Sequence, residues 1–190
     1  KFLRPSAEPP TLRSVSRPAP PAASPVPAAP PGVPSSATPP AVSLAVTHPA
    51  YGIAGLRFER RAGGALTEAT GCYVIGETLM LDTAAAWARE PLRGALVERG
   101  WDKTIRDVVN TQPHGAQTGN NALLAELCRP RIQAHYLAVP QIRFPDEADR
   151  DCAPCPGVVP LGERLSCAHC ELEVHCLPGH CPGHVCLFEP

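Results

Sequence analysis

The chain has 190 residues, of which 44% are hydrophobic, and its formal net charge is −1. This length predicts one folded domain with a tail, and the near-zero charge argues against a nucleic-acid or membrane partner. No run of about 18 apolar residues is present to span a bilayer. Proline is in excess, at 25 residues, and the excess is concentrated near the N-terminus.

Residues 1–46 are predicted to form a disordered tail rich in Pro, Ala and Ser. Proline lacks a backbone N–H, so runs such as Pro18-Ala-Pro-Pro-Ala cannot join a helix or a sheet ladder. Such runs favour solvated polyproline II backbone. Two other roles stay open, a ligand for a proline-recognising domain and a targeting segment. The folded domain is predicted to span residues 47–190.

The first part of that domain is predicted to be a set of short strands. Leu56-Arg-Phe-Glu-Arg60 alternates apolar and polar residues, as a half-buried strand does. Gly63-Gly64 indicates a turn. Cys72–Ile75 and Thr78–Leu81 are predicted to pair as a hairpin joined through Gly76-Glu77.

A helix, a strand, a loop and a second helix follow, an order typical of α/β proteins. Pro91 suits the first turn of the first helix, the apolar residues after it line one face, and Gly100 ends it. Val108-Val109 predicts a buried strand and Ala122–Leu127 a helix. Loops at the carboxyl ends of such strands commonly carry function.

The loop between that strand and that helix reads Asn110-Thr-Gln-Pro-His-Gly-Ala-Gln-Thr-Gly-Asn-Asn121. It resembles the metal-binding loop of the metallo-β-lactamase-fold hydrolases, Asn-Thr-His-x-His-x-Asp-His-x-Gly-Asn. The flanks match and the centre does not. Gln112 stands for the first His, Ala116 for the Asp and Gln117 for the third His, so that only His114 is retained.

Two further stretches are similar to the same family. Leu177-Pro-Gly-His180 resembles its Thr-Pro-Gly-His motif, which places His180 at a zinc-binding position. Asp82 matches the Asp of an Asp-Thr-Gly turn that supports the metal loop, with Ala84 in place of the Gly. A strand-closing Asp that bonds its own backbone is the alternative. His135, at a predicted strand end, is read as structural.

The resemblance covers residues 47–190 and implies an α/β fold, part of a metallo-β-lactamase-like αββα sandwich. The family's later bridging Asp and final His have no counterpart before Pro190, so the expectation is the N-terminal portion of the fold. A catalytic zinc needs about three protein ligands, and only His114 and His180 are left. The resemblance therefore implies reduced zinc binding, no assignable catalytic residue and a degenerate homologue or fragment of unknown small-molecule substrate. An active zinc-dependent hydrolase of glyoxalase-II-like or lactamase-like type is the alternative.

The cysteines offer a third possibility. Cys152-x-x-Cys155 and Cys167-x-x-Cys170 are two pairs with the spacing of a zinc ribbon, a binding module in which four thiolates hold a structural zinc. The ribbon hairpin would be residues 157–163, which also match a hairpin of the family. Disulfides or free thiols remain alternatives. Nine cysteines without a visible signal peptide favour the reducing cytoplasm.

Overall fold

The computed structural model of the chain describes residues 40–149, 151–167 and 170–190. Most of the predicted tail, residues 1–39, lies outside these ranges. None of the helices within them is both long enough and apolar enough to cross a bilayer.

The predicted boundary between tail and domain falls inside the first strand, β1, which covers Ala41–Ala50. β1 pairs antiparallel with β2 (Ile53–Ala62), so that Ala41 lies opposite Arg61. No proline interrupts residues 41–48, and prolines at the ends of an edge strand cost no ladder hydrogen bond. The strand therefore begins before residue 47. Its first residues are rich in Ala, like the tail before them, so composition did not indicate where the strand starts.

Within the described residues the large sheet has seven strands in chain order. The first four run antiparallel, and the hairpin predicted through Gly76-Glu77 is confirmed. From the fourth strand onward, neighbouring strands run parallel. Parallel neighbours cannot be joined by a tight turn, so the chain crosses over a face of the sheet between them. The remaining strands are β3 (Ala65–Ile75), β4 (Leu79–Leu81), β5 (Asp107–Asn110), β6 (Arg131–Ala134) and β7 (Val159–Pro160).

Helices occupy the crossovers. The predicted helix is α1 (Arg89–Glu98), with Leu92, Ala95 and Leu96 buried as expected. Gly100, at φ 73°, turns the chain into the next helix. The others are α2 (Trp101–Thr104), α3 (Gly115–Thr118), α4 (Asn121–Leu127) and α5 (Val139–Arg143), with short 3-10 helices at Ala86–Ala88 and Glu147–Asp149.

A small antiparallel sheet follows, in the order β10-β9-β8. Its strands are β8 (Arg164–Cys167), β9 (Cys170–Cys176) and β10 (Val185–Phe188). The hairpin predicted for residues 157–163 is wrong. β7 pairs with β6 in the large sheet, whereas β8 pairs with β9 in the small one, so this segment connects two sheets.

Two hydrophobic clusters separate the layers. Met80 and Val108 belong to the larger cluster, which includes the buried apolar residues of α1 and α4. Leu79 and Val109 belong to a smaller cluster with Leu165 and Leu172 of the small sheet. Successive strand residues point to opposite faces, so helices cover one face of the parallel strands and the small sheet covers the other. The structure thus confirms the α/β prediction.

Candidate metal centre

His114 and His180, the two predicted metal ligands, lie side by side. His114 ends the loop after β5 and immediately precedes α3, whereas His180 lies in the loop between β9 and β10. Nδ1 of His114 and Nε2 of His180 are 3.2 Å apart. The ring centroids are 4.9 Å apart, at an interplanar angle of 78°. The fold therefore brings both retained family positions to one point.

The loop that carries His180 is anchored at its base. The Leu177 N–H donates to the His184 carbonyl at 2.9 Å, and the Val185 N–H donates to the Thr111 carbonyl at 2.9 Å. Gly183 packs against the start of α5, where an added Cβ would lie 2.7 Å from Ala138 Cβ. These contacts tie the His180 loop to the loop that carries His114.

The His114 loop is fixed from below by buried polar side chains. The Gln117 carbonyl accepts hydrogen bonds from the Thr83 N–H at 2.7 Å and from Asn110 Nδ2 at 3.2 Å. Asn110 Nδ2 is also 3.1 Å from Asn121 Oδ1, and Asn121 Nδ2 donates to Asn110 Oδ1 at 2.8 Å. Buried polar groups that find all their partners in this way rigidify a site.

Asp82 supports the same loop, in line with its predicted position behind it. Its Oδ1 accepts the Thr111 N–H at 2.7 Å, and its Oδ2 accepts the Thr111 hydroxyl at 2.9 Å. Burial raises the pKa of Asp82 to about 7, although the hydrogen bonds from Thr111 act to lower it. Asp82 and Ala84 both have positive φ, at 58° and 60°. Ala84 thus takes a left-handed backbone conformation that glycine adopts more readily, at a cost of about 1–2 kcal/mol.

The three replaced ligand positions have three different surroundings. The Gln112 Oε1 lies 3.9 Å from the Cys181 Sγ. Ala116 is exposed and offers only its carbonyl, which accepts the Thr70 hydroxyl at 2.9 Å. The Gln117 Oε1 is buried and has no hydrogen-bond partner in the described part of the chain, a costly arrangement for an acceptor.

The spacing of the histidine pair suits one metal ion, but the pair is not a full set of ligands. Two imidazole nitrogens bound to one tetrahedral zinc at about 2.0–2.1 Å lie about 3.3 Å apart, close to the observed 3.2 Å. Without metal, the same distance allows one ring to donate a hydrogen bond to the other. Within the described ranges, no three His, Cys, Asp or Glu side chains stand close enough to hold a metal. The residues present therefore bring two imidazole nitrogens to a spacing that suits one metal ion.

The four cysteines of the predicted ribbon are not gathered. Cys155 belongs to the larger hydrophobic cluster, and the Cys152 Sγ abuts Gly115. Cys167 and Cys170 pack against the smaller cluster and form a disulfide that joins β8 to β9. The pairs therefore lie against different cores.

Asp149 holds the loop beside His114, a contact that the sequence did not indicate. Its Oδ1 accepts the Gly115 N–H at 2.7 Å, directly after His114. A Cβ at Gly115 would lie 2.9 Å from that oxygen and 2.8 Å from the Cys152 Sγ. The only local signal was a Gly after the loop histidine, because the partners come from a segment over 30 residues away.

Comparison with known proteins gives one sequence relative and several structures of the same fold. No protein-family profile matches the chain. A hydroxyacylglutathione hydrolase of Nitrosococcus oceani is 32% identical over 119 residues, which cover 63% of this chain and 40% of that protein. The chain thus spans about two fifths of the length of this curated relative.

Solved metallo-β-lactamases share the fold. BJP-1, a subclass B3 enzyme of Bradyrhizobium japonicum, matches with a TM-score of 0.52 and 19% identity over 73% of this chain and 53% of its own. A Cronobacter sakazakii metallo-β-lactamase described by a HARLDQ motif matches with a TM-score of 0.57 and 20% identity, covering 74% of this chain and 57% of its own.

Proposed function

Because this chain has the metallo-β-lactamase fold, we propose that it is a homologue of the fold's hydrolases that keeps a reduced, single-metal site and lacks their hydrolytic activity. The observation that carries the proposal is the His114–His180 pair, with ring nitrogens 3.2 Å apart, beside Gln112, Ala116 and Gln117. One half of a zinc-binding arrangement is intact, and its other loop positions hold no imidazole or carboxylate.

The donor chemistry explains the loss of activity. A bound catalytic zinc lowers the pKa of a water ligand to near neutrality and so supplies hydroxide at physiological pH. A neutral Gln amide is a weaker zinc donor than imidazole or carboxylate, and Ala116 has no donor in its side chain. His114 of this loop and His180 of the β9–β10 loop can orient one metal, but the Gln112, Ala116 and Gln117 positions offer no imidazole or carboxylate for a second.

An active hydrolase is the second candidate function. The 32% identity to a hydroxyacylglutathione hydrolase favours thioester hydrolysis of the glyoxalase-II type. The lactamase-like structures, at 20% identity or below, support the fold alone. A small-molecule substrate of unknown identity belongs to this candidate. The zinc-ribbon alternative gains no support from the separated cysteine pairs.

Compartment and partners follow from composition. We infer the cytoplasm, because the cysteines outside the Cys167–Cys170 pair are free thiols and thiols persist in reducing compartments. The net charge of −1 supports the absence of a nucleic-acid or membrane partner.

Activity and metal content test this function together. Purified protein supplied with zinc is expected to hydrolyse neither S-acylglutathione thioesters nor β-lactams above background. It is expected to retain weakly bound zinc that both His114→Ala and His180→Ala remove. His175→Ala is the matched control, because His175 is an exposed histidine of β9. Gln112→His, Ala116→Asp and Gln117→His combined should raise zinc affinity. Zinc-dependent turnover that His114→Ala abolishes would instead establish the hydrolase.

A further inference from the structure

We propose that the free edge of β1 is a self-association surface, which pairs antiparallel with β1 of a second copy of this chain. A two-fold axis at Leu44 relates the two copies, so that residues 41–47 of each strand form the contact. The pairing joins two seven-stranded sheets into one continuous sheet. It goes beyond the proposed function, because it involves no residue of the metal centre.

The openness of this edge is the first argument. Within the described residues β1 pairs with β2 alone and forms one end of the large sheet. The other end is β7, which is two residues long and includes Pro160, and short or proline-bearing edges resist further pairing. By contrast, β1 is ten residues long and contains no Lys, Arg, Asp or Glu, the charged residues that protect natural edges. It therefore offers an open template for another strand.

The length of the regular stretch fixes the register. β1 pairs regularly with β2 from Ala41 to Thr47, and the register shifts after Thr47. Pro40 and Pro49, which lack the N–H of a ladder, stand outside this stretch at either end. The centre of the stretch is Leu44. A two-fold axis there uses every regular residue of both strands and leaves the prolines outside the ladder.

Apolar side chains meet across this axis. Leu44 lies opposite Phe58 of β2 and packs against the larger cluster. Val42 and Val46 share its face, because successive strand residues alternate between faces. The two-fold axis sets Leu44 opposite Leu44 of the second copy, and Val42 opposite Val46. Val42 is 40% exposed in the single chain, so the pairing removes apolar surface from water, which favours association.

Charges on the other face are complementary. Glu59 lies opposite Ser43 in the pairing of β1 with β2, and Arg57 lies opposite Ala45. The two-fold axis sets Ser43 opposite Ala45 of the second copy. A row of side chains across the dimer is therefore Glu59, Ser43, Ala45 and Arg57, and the symmetry produces this row twice. In each row a carboxylate of one copy faces a guanidinium of the other across two small side chains, which favours this partner and this register.

The size of the contact sets the strength of the dimer. Seven residues of each chain pair, and interfaces at the low end of the size range are weak and transient. The contact uses the same edge of both copies, so the association closes at two chains. Sedimentation equilibrium of the full reduced chain should therefore show a monomer and a dimer in equilibrium, with a micromolar dissociation constant. Amide hydrogen exchange of residues 41–47 should slow as the dimer forms.

Two double variants test the register by charge. Ser43→Lys with Ala45→Lys places like charges directly opposite each other twice in the dimer, and Ser43→Glu with Ala45→Glu does the same with the opposite sign. Each double variant should dimerise at least about tenfold more weakly than the wild type. An equal mixture of the two should form a dimer at least as tight as that of the wild type, because every lysine then meets a glutamate.

Two controls separate pairing from folding. In its own chain each double variant gains one favourable and one unfavourable contact with Arg57 and Glu59, so dilute protein should melt close to the wild-type temperature. Ala125→Lys adds a charge at an exposed position of α4 and should leave the dimer unchanged.

Four results would overturn the proposal. A wild type that is monomeric at its highest soluble concentration would exclude the dimer. Dimers of undiminished strength in both double variants would place the contact on another surface. A mixture of the variants that stays monomeric would exclude the register. A monomeric full chain whose shortened form, lacking residues 1–39, dimerises would show that those residues occupy the edge in place of a second copy.

Discussion

Asp82 shows how a single residue can link the metal loop to the pH of the surroundings. Its carboxylate lies behind the loop and binds both the N–H and the hydroxyl of Thr111. Burial nevertheless raises its pKa from 3.8 to about 7. The folded chain therefore holds this proton at pH values at which the unfolded chain has released it.

The sign of the effect on stability follows from that difference. The contribution of Asp82 to the free energy of unfolding is complete below about pH 4. It is lost as pH rises, and no further loss occurs above the folded-state pKa of about 7. Asp82→Asn keeps the shape of the side chain and removes its titrating proton. Urea unfolding from about pH 5 to about pH 8 should therefore show a flatter pH dependence in Asp82→Asn than in the wild type. Equal slopes would show that another group controls stability in this range.

Single residues also mark the limit of sequence reasoning. The family resemblance predicts that His114 and His180 share a metal, and their ring nitrogens lie 3.2 Å apart, although no local pattern indicates that proximity. The Asp149 contact could not be predicted, because one carboxylate in a three-residue 3-10 helix has no periodicity or spacing that points to Gly115. The Cys181–Gln112 contact was missed for the same reason.

At the scale of elements, the junction of α3 and α4 depends on one close approach. Gly119 has an ordinary helical backbone conformation, at φ −56° and ψ −25°. A Cβ there would nevertheless lie 2.3 Å from the Ala86 nitrogen and 2.7 Å from the Ala85 carbonyl carbon. Position 119 requires glycine because there is no space for a Cβ. Helix propensity alone would predict that Gly119→Ala stabilises the fold, which is the wrong sign.

Two glycine-to-alanine changes separate these effects. Gly119→Ala should destabilise the fold by about 2–3 kcal/mol, because backbone atoms cannot yield as a side chain can. Gly94→Ala, at an exposed position of α1 with nothing within 4 Å of the added Cβ, should stabilise it by about 0.5–1 kcal/mol. Urea denaturation measures both. A neutral Gly119→Ala would mean that the Ala86–Ala88 turn moves away freely.

Elements with strong local signals were predictable, and those defined by partners were not. The buried strand β5, the helix α4 and the Gly76-Glu77 hairpin followed from apolar runs and turn residues. Residues 157–163 carried an equally good hairpin pattern. There the prediction was wrong, because the two residues of β7 pair with β6 and not with β8. A local sequence pattern does not determine which sheet a strand joins.

At the scale of the whole molecule, the parallel strands are sandwiched between two cores. Helices cover Met80 and Val108, and the small sheet covers Leu79 and Val109. The cysteine pairs follow this division, with Cys155 in the larger cluster and Cys167 beside the smaller one. A spacing that suggests one zinc site in the sequence is therefore divided by the layers of the fold.

The position of β1 makes the role of the N-terminal region testable by two deletions that differ in only seven residues. Removal of residues 1–39 should leave the melting temperature unchanged, because a Pro-rich segment without apolar periodicity buries too little surface to repay its ordering entropy. Removal of residues 1–46 also takes Ala41–Val46, which pair with β2, and Leu44, which packs against the larger core. Each kcal/mol lost in this way should lower the melting temperature by about 2–4 °C. Calorimetry on both proteins measures the difference. A drop with the shorter deletion would show that residues 1–39 contribute to the fold, and no drop with the longer one would show that β1 contributes nothing to stability.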